Sequence, residues 1–151
     1  MRILGNILWH FPFFGFLTAL FVFLLGGLFV ITVIGAPIGL GLIQLSKFLL
    51  SPFSSAMISK TDLDKDQNKL WASFSFIVRI LYFPFGLLLC ILTIFQIAAL
   101  FISLIGIPVA LVLAKSLGTY FNPVNKVSVP VAVRDELEKR KAQEQVSRHL
   151  G

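Results

Sequence analysis

The stretch Ile34-Gly-Ala-Pro-Ile-Gly-Leu-Gly-Leu-Ile-Gln-Leu-Ser-Lys-Phe-Leu-Leu-Ser-Pro-Phe53 occurs twice. At an offset of 71 positions the chain reads Ile105-Gly-Ile-Pro-Val-Ala-Leu-Val-Leu-Ala-Lys-Ser-Leu-Gly-Thr-Tyr-Phe-Asn-Pro-Val124. Gly35 falls on Gly106, Pro37 on Pro108, Leu40 on Leu111, Leu42 on Leu113 and Pro52 on Pro123. Before each copy lies a long uncharged run, Pro12 to Ile34 and Phe83 to Ile105. After each Gly-x-Pro comes a short apolar segment, 37–50 and 108–121. The same offset matches Phe14, Gly15, Leu17 and Ile31 with Phe85, Gly86, Leu88 and Ile102. Self-similarity at a fixed period is the mark of a repeated structural unit.

Composition decides the solvent. Hydrophobic residues make up 57% of the 151 and charged residues 13%, against about 25% charged in a soluble domain. A chain this small cannot cover so much apolar surface itself, so lipid must. Each long run, at about 1.5 Å per residue, makes roughly 34 Å of helix, enough to cross a ~30 Å hydrocarbon core. Arg2 precedes an apolar stretch too long for a cleavable leader, which predicts a retained first span. Trp9 and His10 suit the membrane edge.

The short segments allow two readings. Each would make about 21 Å of helix. The first either crosses by recruiting Phe53, Ala56, Met57 and Ile58 while Lys47 reaches the headgroups, or it is re-entrant or interfacial. The residue before a proline is pushed out of helical geometry, so Pro37 and Pro108 end the long helices. Gly35 is expected to take the C-cap turn.

Between the copies, Asp62, Asp64 and Asp66 fail as a calcium loop, because Gln67 and Ser73 stand where the glycine and the bidentate acid belong. Thr61 or Asp62 instead caps a helix. Leu63, Leu70, Phe74, Ile77 and Leu81 then share one helical face, with Trp71 and Arg79 suited to an interface. Val127 to Val133 reads as short and extended. Residues 134–150 are strong helix formers in a solvated helix. The expected organisation is a first repeat over 3–59, a polar loop and interfacial helix over 60–79, a second repeat over 80–130 and a charged tail over 131–151. The expected fold class is all-α, a polytopic helical membrane protein of two pseudo-symmetric repeats.

The bases set orientation. If each repeat is a hairpin, Arg2, the central loop and the tail all face the cytoplasm. If each repeat crosses once, the central loop lies opposite both termini, with Lys60, Lys65 and Lys69 outside. The charge rule favours the hairpin.

The doubled Ile-Gly-x-Pro, the start Asn6-Ile-Leu-Trp9 with Gly15 following, and Ser51-Pro-Phe-Ser54 together resemble the YccF family, built from inner membrane component domains. Ser54 replaces that family's glycine, and Asn122-Pro-Val-Asn125 departs further. The resemblance covers residues 3 to 130 and implies a multi-pass protein of the bacterial inner membrane. It implies no activity and no functional residues.

The residues themselves offer little chemistry. His10 and His149 are the only histidines, and all seven acids lie outside the apolar runs. No catalytic residue, cofactor site or metal site is expected, and Cys90 reads as a small buried apolar residue. The basic balance needs no nucleic acid, since no groove-reading module or stacking platform accompanies it. Three polar side chains within the apolar runs stand out: Gln44, Gln96 and Lys115. Lys115, the only ionisable one far from a segment end, is either a functional site or a headgroup anchor on a long stem. Gln44 and Gln96 suit interhelical hydrogen bonds. Gly35 and Gly39, matched by Gly106 and Ala110, form small-x-x-x-small pairs that let helices approach, with packing of the repeats on each other the first expectation. The function expected is therefore a structural or accessory membrane component without enzymatic activity. Its partners are the lipid bilayer and a second copy or another membrane protein. The alternative is a small oligomeric channel or transporter with Lys115 near an anion conduit.

Overall fold

A computed structural model describes residues 2–11, 13–63 and 69–150. The expectations attached to Pro12, to Asp64, Lys65, Asp66 and Gln67, and to the indole of Trp71 lie outside the described residues. The chain is mostly helical, and its elements run α1 (Arg2–His10), α2 (Gly15–Ile31), α3 (Ala36–Leu50), β1 (Ser55–Ser59), α4 (Lys60–Leu63), α5 (Lys69–Ile102), a short 3-10 turn (Leu104–Gly106), α6 (Ile107–Phe121), β2 (Lys126–Pro130) and α7 (Val131–Leu150).

Among the described residues, two helices are long and apolar enough to cross a membrane, Ala72–Ile102 and Leu104–Phe121. The first uncharged run does not form the straight span its length suggests. It yields the 17 residues of α2, roughly 25 Å, and α2 meets α1 at 76°. The cause is backbone conformation at both ends. Phe14 takes a left-handed φ of 53° before α2. After it, the Thr32 hydroxyl donates to Phe29 O at 2.7 Å and Val33 takes a φ of 59°. Gly35 is therefore not the left-handed cap of α2. It is the N-cap of α3 in ordinary right-handed geometry, with Pro37 in the first turn, where a missing N–H goes unnoticed. Glycine is needed at 35 for closeness, since a Cβ would come within 2.8 Å of Phe29 O and 2.7 Å of Thr32 Oγ1.

α5 is unbroken from Lys69 through Pro84 to Ile102. It joins the expected interfacial face to the long apolar run: Leu70, Phe74, Ile77 and Leu81 are all exposed on it. Most of the large apolar side chains of α2 and α5 are also exposed, which suits a lipid solvent.

The core belongs to the short helices. Leu42, Leu45, Phe48 and Leu49 of α3 are buried with Val109, Val112 and Leu113 of α6, joined by Ala19 and Val22 of α2 and by Val78 and Tyr82 of α5. α2 packs along α3 and α5 along α6. α3 and α6 run antiparallel to each other: Gly41 near the start of α3 meets Pro123 beyond α6, while Lys115 within α6 lies over Phe53 beyond α3.

The two strands are antiparallel and form one small sheet. Extended structure over 127–130 follows the sequence expectation. β1 does not, and it removes the reading in which Ala56, Met57 and Ile58 lengthen a transmembrane α3. The ladder pairs Ser55 with Pro130, Met57 with Ser128 and Ser59 with Lys126. α7 packs over both strands, and Lys141 Nζ sits 2.6 Å from the Asp62 carboxylate. The central segment and the tail thus share one polar cap.

Candidate functional site

The small residues singled out by the sequence lie at the turns before α3 and α6 and on those helices, while the polar ones are spread over α3, α5 and α6. Gly39 faces Gly26 and Val30 of α2, and a Cβ on Gly26 would stand 2.9 Å from Gly39 O. This close approach lies inside the first helix pair rather than between the two repeats. In the second pair, Gly106 is buried against the Leu100 carbonyl, Pro108 occupies the first turn of α6, and Ala110 is fully buried.

Gln44 does not reach another helix. Its Oε1 accepts the backbone N–H of Ser128 at 3.3 Å, tying α3 to β2 across 84 positions. Gln96 is exposed on α5. Lys115 is exposed too, with Nζ 6.0 Å from the Phe53 ring centroid, a geometry worth about 0.5–1 kcal/mol at exposed sites. Phe53 is itself held by α1: its N–H donates to Asn6 Oδ1 at 3.1 Å, and Asn6 Nδ2 donates to Ser54 Oγ at 3.1 Å. Lys115 therefore joins a contact made of α1, the turn after α3, and α6. The structure does not bring Lys115, Gln44 and Gln96 together.

Sequence reasoning missed the aromatic caps. A helix leaves its last four carbonyls without partners. Trp9 Nε1 donates to Leu49 O at 2.7 Å, and His10 Nε2 lies 2.8 Å from Leu50 O. At the end of α6 the Tyr82 hydroxyl donates to Tyr120 O at 3.1 Å. Cys90 is buried, its Sγ 3.5 Å from Leu117 O. The signal for Trp9 was its position beside Asn6. Nothing local marked Tyr82 as a cap, because its acceptor is 38 positions away.

These contacts tie α1, α2, α3 and the following turn into one unit over the first third of the chain. Residues 4–55 match the family model described as YccF, inner membrane component domain. This segment is similar to the YccF inner membrane component domain. The YccF match begins in α1 and ends at the first residue of β1, so it takes in Asn6, Trp9, Gly35, Pro37, Gly39 and Gln44. Together with the apolar helices, the match supports an inner-membrane location. Comparison with curated proteins and with solved structures gives no match.

Proposed function

We propose that this protein is a pseudo-symmetric scaffold of the inner membrane, which acts by packing against a second copy or another membrane protein and carries out no reaction. Each half is a long helix, a Gly-x-Pro turn, a short helix and a strand. The strands clasp the halves together on the cytoplasmic side.

The observation that carries this reading is the pairing of Met57 with Ser128 at the centre of the sheet. These residues are 71 positions apart, the offset that aligns the two copies. A two-fold axis through that pair maps each strand onto the other. Two further correspondences support it. Lys60 N–H donates to Asn125 O at 2.7 Å, and Val131 N–H donates to Ser54 O at 3.1 Å, each residue 71 positions from its counterpart. The capped carbonyls of Leu49 and Tyr120 stand in the same relation. The Asp62–Lys141 ion pair, which joins the central segment to the tail, supports the orientation. Both then lie on one side, and their bases favour the cytoplasm. The inverted arrangement would separate them by a bilayer.

Reconstitution tests the scaffold against the channel alternative. Proteoliposomes should pass neither anions nor cations faster than empty liposomes, and Lys115→Ala should change nothing. Anion flux that disappears in Lys115→Ala would replace the scaffold with the conduit.

A further inference from the structure

Two recesses flank the first turns of α3. On one side is an apolar cavity of about 430 Å³, within the roughly 300–1,000 Å³ range of small-molecule sites. Phe29, Ile34 and Ile38 line it from the first helix pair, and Val78, Leu81 and Phe85 line it from α5. On the other side is a smaller cleft of about 50 Å³, lined by Pro37, Leu40, Gly41, Gln44, Asn125 and two lysines, Lys60 and Lys126.

The lysines are brought together by the sheet. Ser59 pairs with Lys126, and Lys60 N–H donates to Asn125 O. Neither ammonium has a carboxylate within ion-pair distance among the described residues. At the opposite end of the ladder, the positions 71 away carry Val131 and Ser55. The positive charge is therefore confined to the end of the ladder that meets the first turns of α3. Residues 35–44, which border both recesses, span only about 14 Å of helix.

The geometry points to a binding site for one anionic phospholipid, its phosphate held by Lys60 and Lys126 and one acyl chain lodged in the cavity against Ile38 and Val78. An apolar hollow on a membrane protein fills with whatever apolar chain is at hand. Two lysines in the cleft across the first turns of α3 select the lipids whose headgroup carries a net negative charge, since a zwitterionic headgroup brings its own cation. Gln44 remains committed to Ser128 and shapes the cleft floor. The lipid would brace the α2–α3 turn against α5, a place where protein side chains leave a hollow. The site does not depend on the scaffold reading: a conduit would carry it equally well.

Native mass spectrometry of the full-length detergent-solubilised protein tests this, titrating phosphatidylglycerol against phosphatidylcholine of the same acyl chains. The expected result is one phosphatidylglycerol per chain, bound about tenfold more tightly than phosphatidylcholine, a difference of about 1.4 kcal/mol. Lys60→Gln with Lys126→Gln should erase that preference without changing phosphatidylcholine binding. Ile34→Trp, at the exposed rim of the cavity, should weaken both lipids. Glycerol phosphate at millimolar concentration should not displace the lipid. Equal affinity for the two lipids, or an unchanged preference in the double variant, would overturn the headgroup site. Unchanged binding in Ile34→Trp would overturn the acyl-chain site. Displacement by glycerol phosphate would reduce the cleft to an anion site and overturn the lipid assignment. Ser55→Lys with Val131→Lys, at the uncharged end of the ladder, should add no second lipid, because the first turns of α3, which border the cavity, lie at the other end.

Discussion

Trp9 Nε1 donates a hydrogen bond of 2.7 Å to the carbonyl oxygen of Leu49. The indole reaches back across 40 positions to the end of α3, where the Ser51 N–H closes Phe48 O and leaves Leu49 O to Trp9. It is buried there, and a buried carbonyl left without a donor costs about 1–3 kcal/mol. Trp9→Phe keeps most of the apolar bulk and removes the N–H. It should destabilise the protein by about that amount, read as a lower melting temperature in detergent. Tyr82→Phe removes the counterpart at Tyr120 O and should act in the same direction. Unchanged stability in both variants would mean that these carbonyls are satisfied in another way.

Close approach of α2 and α3 depends on Gly26 and Gly39. Side chains cannot be added where backbones touch without pushing the helices apart, and overpacking costs about 1–3 kcal/mol. Gly39→Leu should therefore lower the melting temperature and broaden elution on gel filtration. Gly27, next to Gly26 in α2, has nothing within 4 Å of an added Cβ, so Gly27→Leu is the control and should leave both measurements unchanged.

How much of this was legible in the sequence depends on the range of each interaction. The Gly-x-Pro breaks were legible because proline acts on the residue before it and on its own turn. The short helices were recognised as too short for ordinary spans for the same local reason. Their burial was not legible, since it comes from the long helices on one side and the sheet on the other. β1 was missed because Ser55-Ala-Met-Ile-Ser59 lacks a clean alternation and its partner lies 71 residues along the chain. Lys115 stood out as a charge in an apolar run, but its neighbour Phe53 lies in the turn after α3, far away in the sequence. α2 begins after a left-handed Phe14, a conformation with no strong preference in a Phe-Pro-Phe-Phe-Gly sequence.

Val33 is an exposed β-branched residue at a φ of 59°. Left-handed backbone costs an ordinary residue roughly 1–2 kcal/mol, and asparagine tolerates it better. Val33→Asn should raise the melting temperature slightly or leave it unchanged. A clear drop would indicate that Val33 is held in ordinary right-handed or extended geometry.

The clasp can be trapped. Opposed residues of an antiparallel pair have Cα atoms about 4.5–5.5 Å apart, inside the range a disulfide bridges. In a Cys90→Ser background, Met57→Cys with Ser128→Cys should cross-link on mild oxidation within one chain and shift its gel mobility. Met57→Cys with Val131→Cys, out of register, should not. Cross-linking of the second pair alone would contradict the ladder.

The central claim is that the segment after β1 and the charged tail form one polar cap on the cytoplasmic side. Single cysteines at Thr61 and at Gln143, again in Cys90→Ser, test it most directly when intact cells are treated with a membrane-impermeant maleimide. Both are exposed and stand near the Asp62–Lys141 pair. Neither should label until the membrane is permeabilised, and then both should label. Labelling of either one in intact cells would contradict the account.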